Sequence, residues 1–175
     1  MDEIIFETNR LFARSWNLDT DIQAAFEIYG DPEVVRFLGI EPDENIEITR
    51  QQIQEHLESA DDDDLWYAVV EKASGQVIGA ALLAPLYDKK EEQLIDDYEI
   101  GWHFRKVSWG NGYATEIGQA LINYGLNELK FPSLYAVITP TNIASIKVAQ
   151  KLGMTHIGTT DRFYDDGDEL FIIEK

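Results

Sequence analysis

Trp102-His103-Phe104-Arg105-Lys106-Val107-Ser108-Trp109-Gly110-Asn111-Gly112-Tyr113-Ala114 joins two different periodicities. Before it, Tyr98, Ile100, Trp102 and Phe104 alternate with Asp97, Glu99, Gly101 and His103, the period of two of a strand. After it, Ala114, Ile117, Leu121 and Tyr124 recur at helical spacing. Gly110-Asn111-Gly112 lies between them. Glycines there permit a tight turn and a close approach of backbone to a ligand. The first amides of the helix that follows point outward with partial positive charge. Together these features describe a cradle for an anion, most often a phosphate.

A Gly-x-Gly before a helix is also a common plain turn, and charge separates the two readings. The chain has 14 Lys and Arg against 33 Asp and Glu, a net of −19. Between Trp102 and Thr160 the basic residues are Arg105, Lys106, Lys130, Lys147 and Lys151, and the acids are only Glu116 and Glu128. That segment is +3, which leaves −22 on the remainder. An acidic chain that keeps acids out of one segment is suited to receive an anion there.

At 175 residues the chain is expected to form one domain, 1–175, with a sizeable core. It has no cysteine, which excludes disulfides, thiolate metal sites and a cysteine nucleophile. His56, His103 and His156 have no metal-ligand spacing, so no metal is expected. The acidic start Met-Asp-Glu-Ile-Ile lacks a signal-peptide layout, and no apolar run has the length of a membrane span. The expectation is a soluble cytoplasmic protein that binds neither membrane nor nucleic acid, whose phosphates need a basic face. The acidity suits a cationic partner or substrate.

In order, Ile4–Arg14 reads as a first strand. Thr20-x-x-Gln23 resembles a capping box, and Ile22, Ala25, Phe26 and Tyr29 mark a helix face. Gly30-Asp31-Pro32 breaks it, and Pro32 opens a second helix ending near Gly39. Glu41–Glu47 is an acidic loop. A third helix starts at Thr49-x-x-Gln52 with Ile53 and Leu57 inward, and Asp61–Asp64 reads as its solvated end. Leu65–Lys72 and Gln76–Leu86 form a hairpin about Ala73-Ser74-Gly75. The strand ending at Phe104 follows, then a long helix to about Lys130 and a buried strand Leu134–Ile138. Asn142 caps a helix running to Leu152, closed by Gly153. Strands Thr155–Tyr164 and Glu169–Ile173 flank a last turn. This order predicts an α+β domain with a mixed sheet and helices on its faces.

Four stretches now carry a resemblance. They are Glu7-Thr8-Asn9-Arg10-Leu11 with Tyr29-Gly30-Asp31-Pro32-Glu33-Val34; Glu99-Ile100-Gly101-Trp102; Trp109-Gly110-Asn111-Gly112-Tyr113-Ala114-Thr115-Glu116; and Asn142-x-x-Ser145 with Lys151-Leu152-Gly153-Met154. Spanning nearly the whole chain, they resemble the GNAT-superfamily N-acetyltransferases, in the branch of the ribosomal-protein N-terminal alanine and serine acetyltransferases. The resemblance implies the acyl-CoA N-acyltransferase fold, with a centrally splayed sheet. It implies acetyl-CoA as donor, with the pantetheine arm inserted where the strand of Trp102, His103 and Phe104 parts from the one beginning at Leu134. Gly110, Asn111, Gly112, Tyr113 and Ala114 would surround the pyrophosphate, Trp109 would lie against the ligand, and Asn142 would reach the donor sulfur region. Ser145 stands where that branch carries the residue that protonates the departing thiolate, with Tyr113 or water as the alternative. Two positions depart from the superfamily pattern: Val107 replaces a frequent Gln or Arg, and Ala149 a frequent Tyr.

Glu99 and His103 share a strand face. Glu99 is the first choice as general base, directly or through a water, and His103 the second. The acceptor is expected to be a primary amine, a peptide or protein N-terminus by resemblance, with a polyamine or other small cationic amine as the alternative. A homodimer is left open. The competing readings are a non-catalytic CoA sensor and a nucleotide-binding domain. The second is weakened because Gly110-Asn111-Gly112-Tyr113-Ala114-Thr115 ends in Thr where a dinucleotide fingerprint takes Gly or Ala.

Overall fold

The computed structural model describes residues 4–59, 65–89 and 93–175. The run Asp61–Asp64 therefore lies outside the described residues. Among the described residues eight strands form one sheet: β1 (Ile4–Glu7), β2 (Leu11–Arg14), β3 (Leu65–Glu71), β4 (Val77–Tyr87), β5 (Gln93–Phe104), β6 (Ser133–Ile138), β7 (Thr155–Thr160) and β8 (Asp168–Glu174). Their spatial order is β1-β2-β3-β4-β5-β6-β8-β7. The helices are α1 (Ile22–Tyr29), α2 (Pro32–Val35), α3 (Ile46–Glu58), α4 (Tyr113–Asn123) and α5 (Ile143–Lys151).

Neighbouring strands are antiparallel except β5 and β6, which run parallel and meet at Glu99 and Tyr135. β5 stays paired with β4 as far as Phe104, opposite Gly79. β6 stays paired with β8 as far as Ile138. Each strand keeps its outer neighbour while the two part from one another, and the sheet opens as a wedge with its apex at Glu99. Gly79 allows β4 to follow β5 to its end, because a Cβ there would sit 2.5 Å from the Phe104 ring and 2.6 Å from the His103 carbonyl oxygen.

The central strands are buried on both faces. Val69, Ala81, Ile100 and Phe104 pack with Ile117 and Leu121 of α4. Ala68, Val70 and Ala80 pack with Ile22, Ala25 and Ile28 of α1 and Ile53 of α3. The switch of face with each residue is the strand parity read from the sequence. Ile117 and Leu121 are fully buried, each worth about 1.5–3 kcal/mol of apolar burial. These two anchor α4, and hence the loop before it, to the wedge.

Several boundaries differ from expectation. Ile4–Arg14 is a hairpin, turned by Thr8, whose NH bonds the Leu11 carbonyl at 2.8 Å. Asp21, not Thr20, stands at the start of α1, and its carboxylate is held by Arg14 at 2.6 Å. α2 ends at Val35 rather than near Gly39. α3 starts three residues ahead of Thr49, capped by the Asn45 side chain, which accepts from Glu47 and Ile48 NH. Thr49 instead bonds the buried Asp43 carboxylate at 2.5 Å. Leu57 is 41% exposed, so the inward face of α3 ends at Ile53. The long helix gives way at Tyr124 to a wider π turn through Glu128.

Candidate active site

The segment after β5 is held in shape by its own side chains. Trp109 Nε1–H donates to the Phe104 carbonyl at 2.8 Å, which ties the loop back to the strand end. Asn111 Nδ2 donates to the carbonyls of Ser108 (3.1 Å) and Trp109 (3.2 Å). Gly110 and Gly112 both have φ of 78°, a conformation that side chains with a Cβ rarely adopt. A Cβ added at Gly110 would meet nothing within 4 Å, so that surface is open. The first helical bond runs from Glu116 NH to the Gly112 carbonyl at 3.1 Å. The NH groups of Tyr113, Ala114 and Thr115 precede it at the positive end of α4.

A clamp from the other end of the chain holds this cradle. Glu116 Oε1 accepts from Thr8 Oγ1 (2.6 Å) and Arg10 NH (2.9 Å), and Oε2 accepts from Arg10 Nε (2.7 Å). Burial pushes the Glu116 carboxyl upward, but the Thr8 and Arg10 donors outweigh it and hold its pKa below the usual range. Arg10 Nη1 also donates to the Asn111 carbonyl at 3.0 Å, and its guanidinium lies 4.6 Å from the Tyr113 ring centroid. The Tyr113 hydroxyl donates to Glu71, and that bond raises its pKa. The phenol named as an alternative acid is thus engaged on β3.

The end of β5, the cradle and the start of α5 line one cavity of about 530 Å³. Trp102, His103, Phe104, Trp109, Gly110, Gly112, Tyr113, Ala114, Asn142 and Ser145 all line it. Among the described residues that line it none is acidic, while Arg36, Lys147 and Lys151 bring positive charge. Such a lining in a chain of net −19 suits a multiply charged anion. Asn142 caps α5, its Oδ1 accepting from Ser145 NH at 3.2 Å. Asn111 is not among the lining residues, because its amide is turned onto the loop's own carbonyls. Val107 is 81% exposed and also outside the lining. Ala149 is fully buried on the inner face of α5.

The other face of β5 is polar. His103 Nδ1 lies 3.2 Å from the Tyr29 hydroxyl, which accepts from Trp66 Nε1 at 2.7 Å. Burial pulls the His103 pKa down to about 4. Burial also drives the Tyr29 phenol far up, so it stays protonated. Glu99 is 9% exposed at the apex of the wedge and accepts from the Tyr164 hydroxyl. Glu99 is not a lining residue of the cavity as the structure stands. Parity had placed Glu99 and His103 together, but their partners lie 65 and 74 residues away. No local spacing could have indicated Tyr164 or Trp66, whereas Tyr29 falls within a quoted motif. Thr8, Arg10 and Glu116 did carry a signal, since all three fall within the quoted motifs.

A strand pair that parts beside a glycine cradle, with cations and no acids among the described residues that line the cavity, suits a long, multiply charged anionic ligand. Residues 10–155 match the Acetyltransferase (GNAT) domain model. The chain belongs to the GNAT family of N-acetyltransferases, enzymes that use acetyl-CoA. It is 41% identical over 95 residues to the uncharacterized protein YkkB of Bacillus subtilis (strain 168), across 54% of this chain and 52% of that protein. The alignment therefore spans about half the length of that relative. It is 28% identical over 152 residues to the uncharacterized N-acetyltransferase p20 of Bacillus licheniformis, across 86% of this chain and 82% of that one. The crystal structure of a GNAT-family acetyltransferase from Bacillus anthracis superposes with a TM-score of 0.79 at 24% identity, covering 96% of both chains. That likeness establishes the mixed, splayed sheet. Among the described residues no helix is long and apolar enough to cross a membrane.

Proposed function

We propose that residues 1–175 act as one domain that transfers acetyl from acetyl-CoA to the α-amine of a peptide or protein. The observation that carries this reading is the wedge between β5 and β6, opening from Glu99 toward the Gly110–Gly112 cradle. A diphosphate at the cradle faces the Tyr113, Ala114 and Thr115 amides, with Lys147 and Lys151 alongside. The pantetheine arm then runs back along the free edge of β5 as an added strand. From Phe104 to Glu99 is five residues, roughly 17 Å at strand rise. The thioester end of an arm laid this way comes to the apex, beside Glu99.

Glu99 takes a proton from the acceptor ammonium, directly or through a water, which frees the nitrogen lone pair. Backbone NH groups at the apex of β5 stabilise the carbonyl oxygen as the nitrogen bonds to the carbonyl carbon. The carbon–sulfur bond then breaks as the nitrogen loses its second proton to solvent, leaving the amide, and the Ser145 hydroxyl gives its proton to the leaving sulfur. Ser145 regains a proton from solvent. Positioning of the two reactants supplies much of the rate.

The test is calorimetry with CoA, followed by acetyl-CoA turnover across a panel of peptide N-termini, amino acids, amino sugars and polyamines, read as free thiol. Turnover with peptides above all others supports the assignment. Turnover with polyamines alone supports the second reading, which the charge of −22 outside the cradle segment favours. CoA heat with no turnover on any amine, and no activity to lose in Glu99→Gln or Ser145→Ala, supports a CoA sensor instead.

A further inference from the structure

We infer that His103 is a positioning residue. It is a neutral imidazole with its proton fixed on Nε2, and it donates that proton to an amide carbonyl oxygen of the bound ligand. The inference rests on the acetyl-CoA reading above and gives His103 a role other than that of a base.

Trp66 sets the direction of the relay. Its indole can only donate, and it donates to Tyr29 Oη at 2.7 Å. That oxygen has His103 Nδ1 as its other polar partner, at 3.2 Å. The phenol hydrogen is left to point at Nδ1, which must then be the accepting nitrogen. A neutral ring with a bare Nδ1 carries its hydrogen on Nε2. The relay is rigid. Tyr29 is buried, and its ring stands edge-on to both Trp66 (5.3 Å) and His103 (5.9 Å). Trp66 is itself packed between Trp16 and His56. His103 is half-buried, and the loss of solvation on burial makes a positive ring costly.

The result is a single N–H donor fixed in a cavity that His103 lines. Such a donor needs an acceptor once water is displaced, since an unpaired buried N–H is unfavourable. The pantetheine arm carries amide carbonyls, and so does a peptide beside its terminal amine. A polyamine carries none. A fixed donor here favours ligands that bring a carbonyl and disfavours those that bring only N–H groups.

The measurement is long-range proton–nitrogen NMR on protein labelled with ¹⁵N-histidine, with His103 assigned by loss of its signals in His103→Gln. The expected spectrum at neutral pH shows an unprotonated Nδ1 and a protonated Nε2, unchanged down to pH 5.5. Tyr29→Phe should turn this single tautomer into an exchanging mixture. The Nε2 resonance should shift on saturation with CoA if the carbonyl is the donor arm's. It should shift only when an N-terminal peptide is added if the carbonyl is the acceptor's. His103→Gln keeps a donor near the Nε2 position and should hold the KM for acetyl-CoA or peptide within about threefold. His103→Leu should raise one of them about 3- to 10-fold with kcat little changed. A protonated Nδ1, or an Nε2 signal unmoved by CoA and by peptide while calorimetry records CoA binding, overturns the inference. Absence of CoA heat in the wild type overturns the acetyl-CoA reading, and this inference falls with it.

Discussion

The two faces of β5 are built by different means. Toward α4, Ile100 and Phe104 belong to a continuous apolar core, and the strand continues into a loop whose ligand groups are backbone amides. Toward α1, Glu99 and His103 meet Tyr164 and Tyr29 through side-chain hydrogen bonds drawn from distant parts of the chain. The first face requires a conformation, and glycine with flanking periodicity provides it. The second requires particular functional groups brought together by topology. A diphosphate can be held by any chain that adopts the turn, whereas proton transfer and acceptor choice need named side chains.

The sharpest way to break this contrast is Gly110→Val. The backbone there has φ of 78°, and the new branches would enter the open cavity. Strain of about 1–3 kcal/mol adds to the loss of phosphate space. CoA affinity measured by calorimetry should fall at least about 100-fold, with the helical circular dichroism retained. Unchanged affinity would remove the backbone cradle from the account. Glu99→Gln probes the opposite face. Loss of a general base is expected to lower kcat about 100-fold while CoA affinity stays within about twofold. A matching loss of CoA affinity would show that Glu99 shapes the wedge rather than moves a proton.

The cations of α5 should give a smaller effect. Lys147 and Lys151 are exposed at the cavity, where charge is screened by salt. Replacing both with alanine should weaken CoA about 3- to 10-fold at low ionic strength. The difference should shrink in 0.5 M salt. A difference that persists at high salt would point to direct packing, not charge.

The same contrast explains what could be read before the structure. The helix of Ile117 and Leu121, the strand of Ile100 and Phe104, and the turn between them follow from periods and glycines, which are local properties. The wedge was expected only through the family resemblance, because strand divergence leaves no mark in hydrophobic spacing. Errors clustered in the N-terminal part, where side chains compete for the same caps. Thr20-x-x-Gln23 and Thr49-x-x-Gln52 have the pattern of helix starts, but Asp21 and Asn45 take those positions. Thr20 bonds Asp21, and Thr49 bonds Asp43. Asn111 was expected at the ligand through its backbone NH, and its side-chain bonds leave that expectation untouched. The side-chain amide stabilises the loop from within, a choice between partners that the motif alone does not specify.

Glu116 joins the two means of construction, and its replacement tests whether the cradle depends on the clamp. Its carboxylate accepts from Thr8, Arg10 NH and Arg10 Nε. In Glu116→Gln, one oxygen becomes an NH₂ group that faces the Arg10 guanidinium, donor against donor. A cost of about 1–3 kcal/mol is expected, or a melting point lower by about 3–10 °C for a chain of this size. The folded carboxyl titrates below its unfolded value. Its contribution is therefore complete above about pH 4.3, the ordinary glutamate value, and is lost as the pH falls through the folded pKa. The gap in melting point between wild type and variant should be full at pH 7 and close on acidification below about pH 4. Because Arg10 also holds the Asn111 carbonyl at 3.0 Å, the variant should bind CoA a few-fold more weakly at pH 7. A lower melting point with unaltered CoA affinity would mean that the loop keeps its shape through Trp109 and Asn111 alone, and that the N-terminal hairpin stabilises the fold without tuning the site.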